Sequence, residues 1–371
     1  MHRLNFNSNS YSRLSSRVQE AMTNAIDIYG DARPISFGSD HKISAAIEES
    51  RHSIAEKLHL NVAELFFNNG CKSAEIELIG VVLNLLDIEH IITSRFESPD
   101  KLEFFEFIEK AGKIKLHFIE TNDYGEIYPE RLKEILINKK NTTLLSLSHA
   151  NFFSGVLLPV KAILQICKTS HIYFHLNAQL TLGRFEIDFE TIKTDFVTFD
   201  ASLINGPSNV GCTIYNNLIE LDNKRYNYLK KAIQFVENKN ISNILGLNQA
   251  ISQTMDDINT RQDSTRLMRK QLIKQLGSDL GIESIDSKLN KPVLYNHVAF
   301  WAKHAYFGKY IIEKLDLEGV DVSQILFPGS KESHPNEAFI NIGLADTCSL
   351  SDIDYFVKIL QKIQTGKAWI S

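Results

Sequence analysis

The stretch "DFVTFDASLINGPSNVGCTIYN", residues 195–216, decides the fold because two apolar segments flank a glycine-rich turn. The segments at 195–200 and 211–216 are rich in the β-branched and aromatic residues of strands. Gly206, Pro207 and Gly211 mark the turn between them. Loops that follow strands often carry binding and catalytic side chains. The middle of this loop instead holds the apolar Leu203.

Strand-like and helix-like segments alternate through the residues that precede this stretch. Apolar runs occur at 64–67, 90–96, 113–120, 141–148 and 171–176, and amphipathic stretches at 42–58, 74–86 and 159–170. Parallel strands need helical crossovers, so this order predicts an α/β domain with a largely parallel sheet. Ligands bind beyond the carboxyl ends of such strands, which directs attention to the loops that begin at Asn68, Phe96, Ser148, Asn177 and Asp200.

The pattern changes after about residue 245. Residues 251–276 form a long polar-amphipathic stretch that predicts helix, an apolar segment follows at 293–302, and a short strand is predicted at 338–344. A last helix, from Ser351, carries an apolar stripe at helical spacing that must pack on something. We therefore predict a large α/β domain over residues 1–245 and a small α+β domain over 246–371. The N-terminal segment is able to pack on the small domain.

Composition narrows the class of partner. The chain has 371 residues and a formal net charge of −5, so nothing suggests a surface that attracts nucleic acid or acidic lipid. No window approaches the roughly 20 apolar residues of a membrane span, and the first residues lack a signal-peptide core. We expect a cytoplasmic protein. The four cysteines show no metal-ligand spacing, and we expect no metal.

Several segments, in order and spacing, resemble the NifS-type cysteine desulfurases of the class V aminotransferase group. They are "HIITSRFESP" (90–99), "LLSLSHANFFSGVLLPVKAI" (144–163), "YFHLNAQLTLGRFEID" (173–188), "NGPSNVG" (205–211) and "LDLEGVDVS" (315–323). The resemblance implies the pyridoxal-phosphate (PLP) dependent transferase fold type I. That fold has a mainly parallel seven-stranded sheet, a small C-terminal domain, and a homodimer with active sites near the subunit interface.

The resemblance also locates the reactive positions of the family. Its Ser-x-His-Lys pattern, which supplies the Schiff-base lysine, falls on Asp200, Ser202 and Leu203. A leucine cannot form an imine, so we expect no covalent cofactor, and PLP only as a non-covalent ligand. The aspartate that pairs with the pyridine nitrogen becomes Asn177. A neutral amide stabilises a protonated ring less than a carboxylate does.

Other contacts of the family are also replaced. The stacking histidine becomes Ser98, and the family glutamine falls on Leu180, with Gln179 adjacent either as a substitute or as an ordinary polar residue. In the pattern His-x-Asn-Asn-Glu, Asn151 remains and Phe152 replaces the second asparagine. The remaining differences are Phe339 at the substrate arginine and a position near Pro328 for the desulfurase cysteine, with no cysteine between 213 and 347.

The phosphate-binding turn of the family, Gly-Ala-Thr-Glu, reads Gly70, Cys71, Lys72 and Ser73. One interpretation is a phosphate or sulfate site in which Ser73 and backbone N–H groups donate to the anion at a helix start. The other is a solvated or salt-bridged Lys72, since lysine is unfavourable at that end of the helix dipole. Lys72 is also our only candidate for a displaced amine.

Two main hypotheses follow, and the sequence leaves open whether the protein is an enzyme. Groups that work as a unit lose nearly all activity when one is removed. The first hypothesis is therefore a non-catalytic homologue with a binding, scaffold or regulatory role, paired with itself or with a family-related protein, whose pocket Leu203, Phe152 and Phe339 partly close. The alternative is an aminotransferase-like enzyme that uses PLP or the remodelled pocket in a non-standard way. A third possibility is an anion binder at Gly70–Ser73.

Overall fold

A seven-stranded sheet forms the centre of the computed structural model, which describes residues 3–30, 40–136, 143–189, 191–216, 223–302, 305–326 and 338–365. The strands are β1 (Leu4–Asn5), β2 (Leu65–Asn68), β3 (His90–Thr93), β4 (Lys115–Phe118), β5 (Thr143–Ser148), β6 (Tyr173–Asn177), β7 (Phe196–Asp200), β8 (Gly211–Tyr215), β9 (His297–Ala302), β10 (Val320–Asp321), β11 (Ser323–Leu326) and β12 (Ala338–Gly343). The helices are α1 (Ser16–Tyr29), α2 (Asp40–Lys57), α3 (Cys71–Leu85), α4 (Pro99–Lys110), α5 (Pro129–Leu136), α6 (Val160–Ser170), α7 (Asn223–Val236), α8 (Ile241–Asp256), α9 (Ile258–Leu280), α10 (Ala305–Leu317) and α11 (Leu350–Thr365).

The large sheet has the strand order β2-β8-β7-β6-β5-β3-β4. Within it β8 runs antiparallel to β2 and β7, and the other neighbours are parallel. All seven strand-like segments between residues 64 and 216 form strands of this sheet. The prediction of a largely parallel α/β sheet is therefore confirmed. The stretch at 195–216 forms the antiparallel hairpin that joins β7 to β8.

Helices cover both faces of the sheet. Neighbouring strand residues point to opposite faces, and in β7 Val197 packs into one core and Phe196 into the other. The first core includes α1, α2, α5, α6 and α8, and the second includes α3, α4 and α7. Burial on both faces explains why the strands read as continuous apolar runs.

A third hydrophobic core lies in the C-terminal part. There β9, β11 and β12 form an antiparallel sheet, and β1 pairs in parallel with β10. Phe6 joins this core and stacks on Phe356 of α11 with ring centroids 4.8 Å apart. The apolar stripe of α11 is buried in the same core. The N-terminal segment thus packs on the C-terminal part of the chain.

The region around residue 250 differs from expectation. The prediction of helix for residues 251–276 is confirmed except at Asp257, where a break divides the stretch between α8 and α9. Leu247 and Ile251 of α8 pack into the core of the large sheet, and the C-terminal core begins in α9 at Leu272. We therefore propose that the domain boundary lies after α8 rather than at residue 245.

No helix in the described ranges is long and apolar enough to cross a membrane. The same residues contain no group of three or more histidine, cysteine or acidic side chains that could hold a metal ion. Cys71, Cys167 and Cys212 are buried free thiols.

Candidate functional site

A cavity of about 400 Å³ lies beyond the carboxyl ends of β6 and β7 and beside the first turn of α3. Its position agrees with the general rule for ligands in open α/β sheets. The predicted site positions that line it are Gly70, Cys71, Lys72, Ser73, Ser98, Phe152, Asn177, Gln179, Leu180, Asp200 and Leu203. Residues from five separate segments of the sequence therefore meet at one place.

The turn into α3 depends on Gly70. Its φ is +95°, and a Cβ there would lie 2.7 Å from the carbonyl oxygen of Ser208. Only glycine takes this backbone conformation so close to another main chain without strain. The N–H of Gly70 donates to Oδ1 of Asn68 at 2.9 Å, which fixes the turn as β2 ends. The N–H of Cys71 then points across the turn toward β7.

Asp200 accepts that N–H. Its Oδ2 lies 2.9 Å from the backbone N of Cys71 and 3.0 Å from Nε2 of Gln179. Its Oδ1 accepts from the backbone N of Ser202 at 2.9 Å and from the hydroxyl of Ser202 at 2.6 Å. The carboxylate is 4% exposed, and a helix N-terminus stabilises its negative charge. Four protein donors therefore satisfy Asp200.

The groups around Asp200 form one polar wall of the cavity. A second polar wall contains Lys101, which the sequence did not reveal. Its Nζ lies 3.1 Å from Oε2 of Glu97 and 3.3 Å from Oε1 of Glu75, and its side chain is 1% exposed. Glu97 also accepts from the backbone N of Ser148 at 2.8 Å. Glu97 and Lys101 are four residues apart, on either side of the start of α4, and this spacing was the available signal for an ion pair. Glu75 comes from α3, so the sequence alone did not reveal the full cluster.

Burial and ion pairing have opposite effects on the charges of this cluster. Burial opposes the ammonium form of Lys101, but Glu75 and Glu97 outweigh it and raise the pKa of Lys101. Burial raises the pKa of Glu75, with a further contribution from Glu97, against the opposing effect of Lys101. Lys101 is therefore held as a charged ammonium group rather than as a free amine.

Asn177 and Gln179 connect the two polar walls. Nδ2 of Asn177 donates to Oε1 of Glu75 at 3.1 Å, and its Oδ1 accepts from the backbone N of Gln179 at 2.9 Å. The side chain of Gln179 continues to Asp200 and to the hydroxyl of Ser202 at 3.2 Å. The amide of Asn177 is thus engaged at both of its polar atoms.

Leu203 lies in an apolar cluster. It is 8% exposed and belongs to a group with Ala150, Leu180 and Leu294, against which Phe152 packs. Leu203 also lines a second cavity of about 510 Å³, which N-terminal and C-terminal residues enclose. The leucine therefore forms part of the wall between the two cavities.

Phe339 lies elsewhere, which corrects the expectation that it helps to close the pocket. It is fully buried on β12, where its ring packs on Phe153 at 4.2 Å and on Trp301 at 3.8 Å between centroids. It is not among the described residues that line the cavity. The predicted position of the desulfurase cysteine, near Pro328, lies outside the described residues.

Two further predicted positions lie behind the lining residues. Oδ1 of Asn151 accepts from the backbone N of Phe153 at 2.8 Å and so holds the turn after β5. Ser202 bonds to Asp200, as described above. His149, the first residue of the family's His-x-Asn-Asn-Glu pattern, is half-buried, and its Nδ1 lies 2.8 Å from Oγ1 of Thr181. Burial lowers the pKa of His149 to about 4, which fits a neutral structural residue.

Lys72 lies at the rim of the cavity. Its Nζ forms an ion pair with Oδ2 of Asp100 at 2.9 Å, and its side chain is 66% exposed. Asp100 lies in the first turn of α4, directly after Ser98 and Pro99. This geometry corresponds to the salt-bridged interpretation of Lys72.

Comparison with known structures identifies the class of the fold. A protein described as NifS-like superposes with a TM-score of 0.83 at 21% identity, covering 98% of this chain and 100% of the other. The NifS-like protein of Rickettsia africae gives a TM-score of 0.82 at 20% identity, with 98% and 100% coverage. The chain has the PLP-dependent transferase fold type I.

The sequence profile of the aminotransferase class-V family matches residues 5–353, and the chain belongs to that family. Cysteine desulfurase IscS of Clostridium botulinum strain Hall is 26% identical over 366 residues, which cover 93% of this chain and 90% of the relative. The protein of the same name in Dictyoglomus turgidum is 26% identical over 346 residues, covering 88% and 85%. The family is one of PLP-dependent enzymes.

The geometry at Gly70 gives a test of the turn. We expect Gly70→Ala to lower the free energy of unfolding by about 1–3 kcal/mol, because alanine must adopt a positive φ and meets the oxygen of Ser208. Gly277 in α9 is a matched control, since a Cβ there meets nothing within 4 Å. Gly277→Ala should raise the free energy of unfolding by about 0.5–1 kcal/mol, because alanine favours the helix more than glycine does. Urea denaturation measures both, and a neutral Gly70→Ala would contradict this description of the turn.

The buried ion cluster gives a second test. Lys101→Met should cost about 3–5 kcal/mol of unfolding free energy, because it leaves the charges of Glu75 and Glu97 buried without a cation. Adding Glu75→Gln and Glu97→Gln to the same chain should recover part of that loss. Chemical denaturation of the single and triple variants measures the difference. Equal stability of Lys101→Met and the wild type would show that the cluster is not formed.

Proposed function

We propose that this class V family member no longer performs PLP-dependent transfer and instead binds a small molecule or regulates a partner. The observation that carries the proposal is Leu203. The family resemblance places this residue at the Schiff-base lysine, and its side chain packs among Ala150, Leu180 and Leu294. An apolar side chain in that place cannot form the covalent bond on which the family chemistry depends.

The other amines at the cavity do not replace the missing lysine. Of the described lysines, Lys72 and Lys101 line the cavity. Lys72 points to Asp100 at the rim, and Lys101 is held as a cation between Glu75 and Glu97. A nucleophilic lysine must be deprotonated, and paired carboxylates favour the opposite state.

The ring and phosphate ends of the cavity also fit PLP poorly. Asn177 is engaged with Glu75 and Gln179, and a neutral hydrogen bond contributes about 1 kcal/mol against about 1.5–3 kcal/mol for a charged one. At the start of α3 the carboxylate of Asp200 already accepts the N–H of Cys71. The residues present therefore do not fit the cofactor of the family.

The retained cavity supports a binding role. We expected aromatic and aliphatic side chains to close part of the pocket, yet about 400 Å³ of space persists beside Leu203 and Phe152. Apolar walls with a few polar groups are typical of small-molecule sites.

We also propose, from the family resemblance, a homodimer in the cytoplasm. Sedimentation of the pure protein measures that assembly.

A trapping experiment tests the loss of PLP chemistry. We expect wild-type protein, incubated with PLP and then borohydride, to carry no reduced adduct on Lys72 or Lys101. Leu203→Lys should gain an adduct at residue 203, because it returns an amine to the turn. Leu180→Lys, in the same apolar cluster, controls for labelling of any lysine placed in the cavity.

Peptide mass mapping locates the adducts, and release of sulfide from cysteine gives an independent measure of activity. The wild type should release none above a sample without protein. A stoichiometric wild-type adduct within the cavity that disappears in Lys72→Ala would overturn the proposal and favour the enzyme hypothesis.

A further inference from the structure

We propose that Asp200 is a built-in anion that takes the place of a ligand phosphate, so that the cavity selects phosphate-free ligands that carry an ammonium group. The inference rests on the proposed function, since it concerns what the cavity binds instead of PLP. Its starting point is the hydrogen bond of 2.9 Å between Oδ2 of Asp200 and the N–H of Cys71. Helix N-termini offer such N–H groups to bound anions, and here a side chain of the protein already uses one.

The neighbouring charges do not neutralise Asp200. Lys72 is paired with Asp100, and Lys101 lies between Glu75 and Glu97. The donors to Asp200 are all uncharged groups: two backbone N–H groups, an amide and a hydroxyl. A phosphate dianion at the start of α3 would therefore face a close carboxylate with no intervening cation. Repulsion between like charges is strong at short range inside a protein.

The carboxylate of Glu75 indicates which functional group of a ligand the cavity should bind. Its Oε1 accepts from Asn177 and pairs with Lys101, whereas its Oε2 has no hydrogen-bond donor among the described residues. Glu75 is 6% exposed and lines the cavity. A carboxylate oxygen open to the cavity can accept a hydrogen bond from a ligand, and an ammonium group forms the stronger, charge-assisted bond. Phe104 and Phe152 supply apolar walls for the body of such a ligand.

A matched pair of probes tests the selection. Pyridoxamine and pyridoxamine 5′-phosphate differ only in the phosphate, and neither has an aldehyde that could react with lysine. Isothermal titration should show that wild-type protein binds pyridoxamine at least about tenfold more tightly than its phosphate ester. Glu75→Gln should weaken pyridoxamine binding by about tenfold, because the amide presents no charge to the ammonium group.

Two substitutions of Asp200 separate the effect of its negative charge from the effect of its hydrogen bond to the N–H of Cys71. Asp200→Asn removes the charge but keeps an oxygen that can accept from Cys71, so the preference for pyridoxamine should fall. Asp200→Ser removes the charge and shortens the side chain, so the preference should reverse in favour of the phosphate ester by at least about tenfold. Circular dichroism confirms folding, and Asp200→Asn, the nearly isosteric change, tests the charge effect even where Asp200→Ser does not fold.

The control is Glu103→Gln, which removes a negative charge from an exposed residue of α4 that is not among the described lining residues. It should change the preference by less than about twofold, because water screens that charge. A wild-type preference for the phosphate ester, an unchanged preference in both Asp200 variants, or no binding of either probe would overturn the inference. The proposed function fails only when a covalent PLP adduct forms in the wild-type cavity in the trapping experiment. The binding results above involve no such adduct, so the two failures are distinguishable.

Discussion

The hydrogen bond from the N–H of Cys71 to Asp200 is the interaction on which the character of the site depends. It joins the first turn of α3 to the carboxyl end of β7, two of the elements that line the cavity. Gly70 makes the turn possible, and Gln179 and Ser202 complete the donors to the carboxylate. A negative charge fixed at a helix start leaves little electrostatic reason for that helix to bind a second anion.

The fold was largely predictable because the sheet is buried on both faces. Its strands read as uninterrupted apolar runs and its crossover helices as amphipathic ones, so periodicity alone indicated the order of elements. The junction near Asp257 was not predictable in this way. The polar pattern continues across it, and only packing of Ile251 and Leu272 into different cores shows where one helix ends.

The site was predictable as a set of positions but less so as a set of contacts. Loop ends such as Asn177 and Asp200 follow from the strand pattern, because carboxyl ends of parallel strands meet at one edge. Lys101 was missed, since its role depends on Glu75, which is distant in sequence and belongs to another helix. The family resemblance put Phe339 at the substrate arginine and so in the pocket, yet β12 directs it into an aromatic cluster.

The central claim is that a carboxylate of the protein replaces the cofactor phosphate at the start of α3. A crystal structure of the wild-type protein grown with saturating PLP tests this most directly. The account predicts that Oδ2 of Asp200 stays within hydrogen-bond distance of the N of Cys71, with no phosphate density there. A phosphate oxygen bound to that N–H, with Asp200 rotated away, would contradict it.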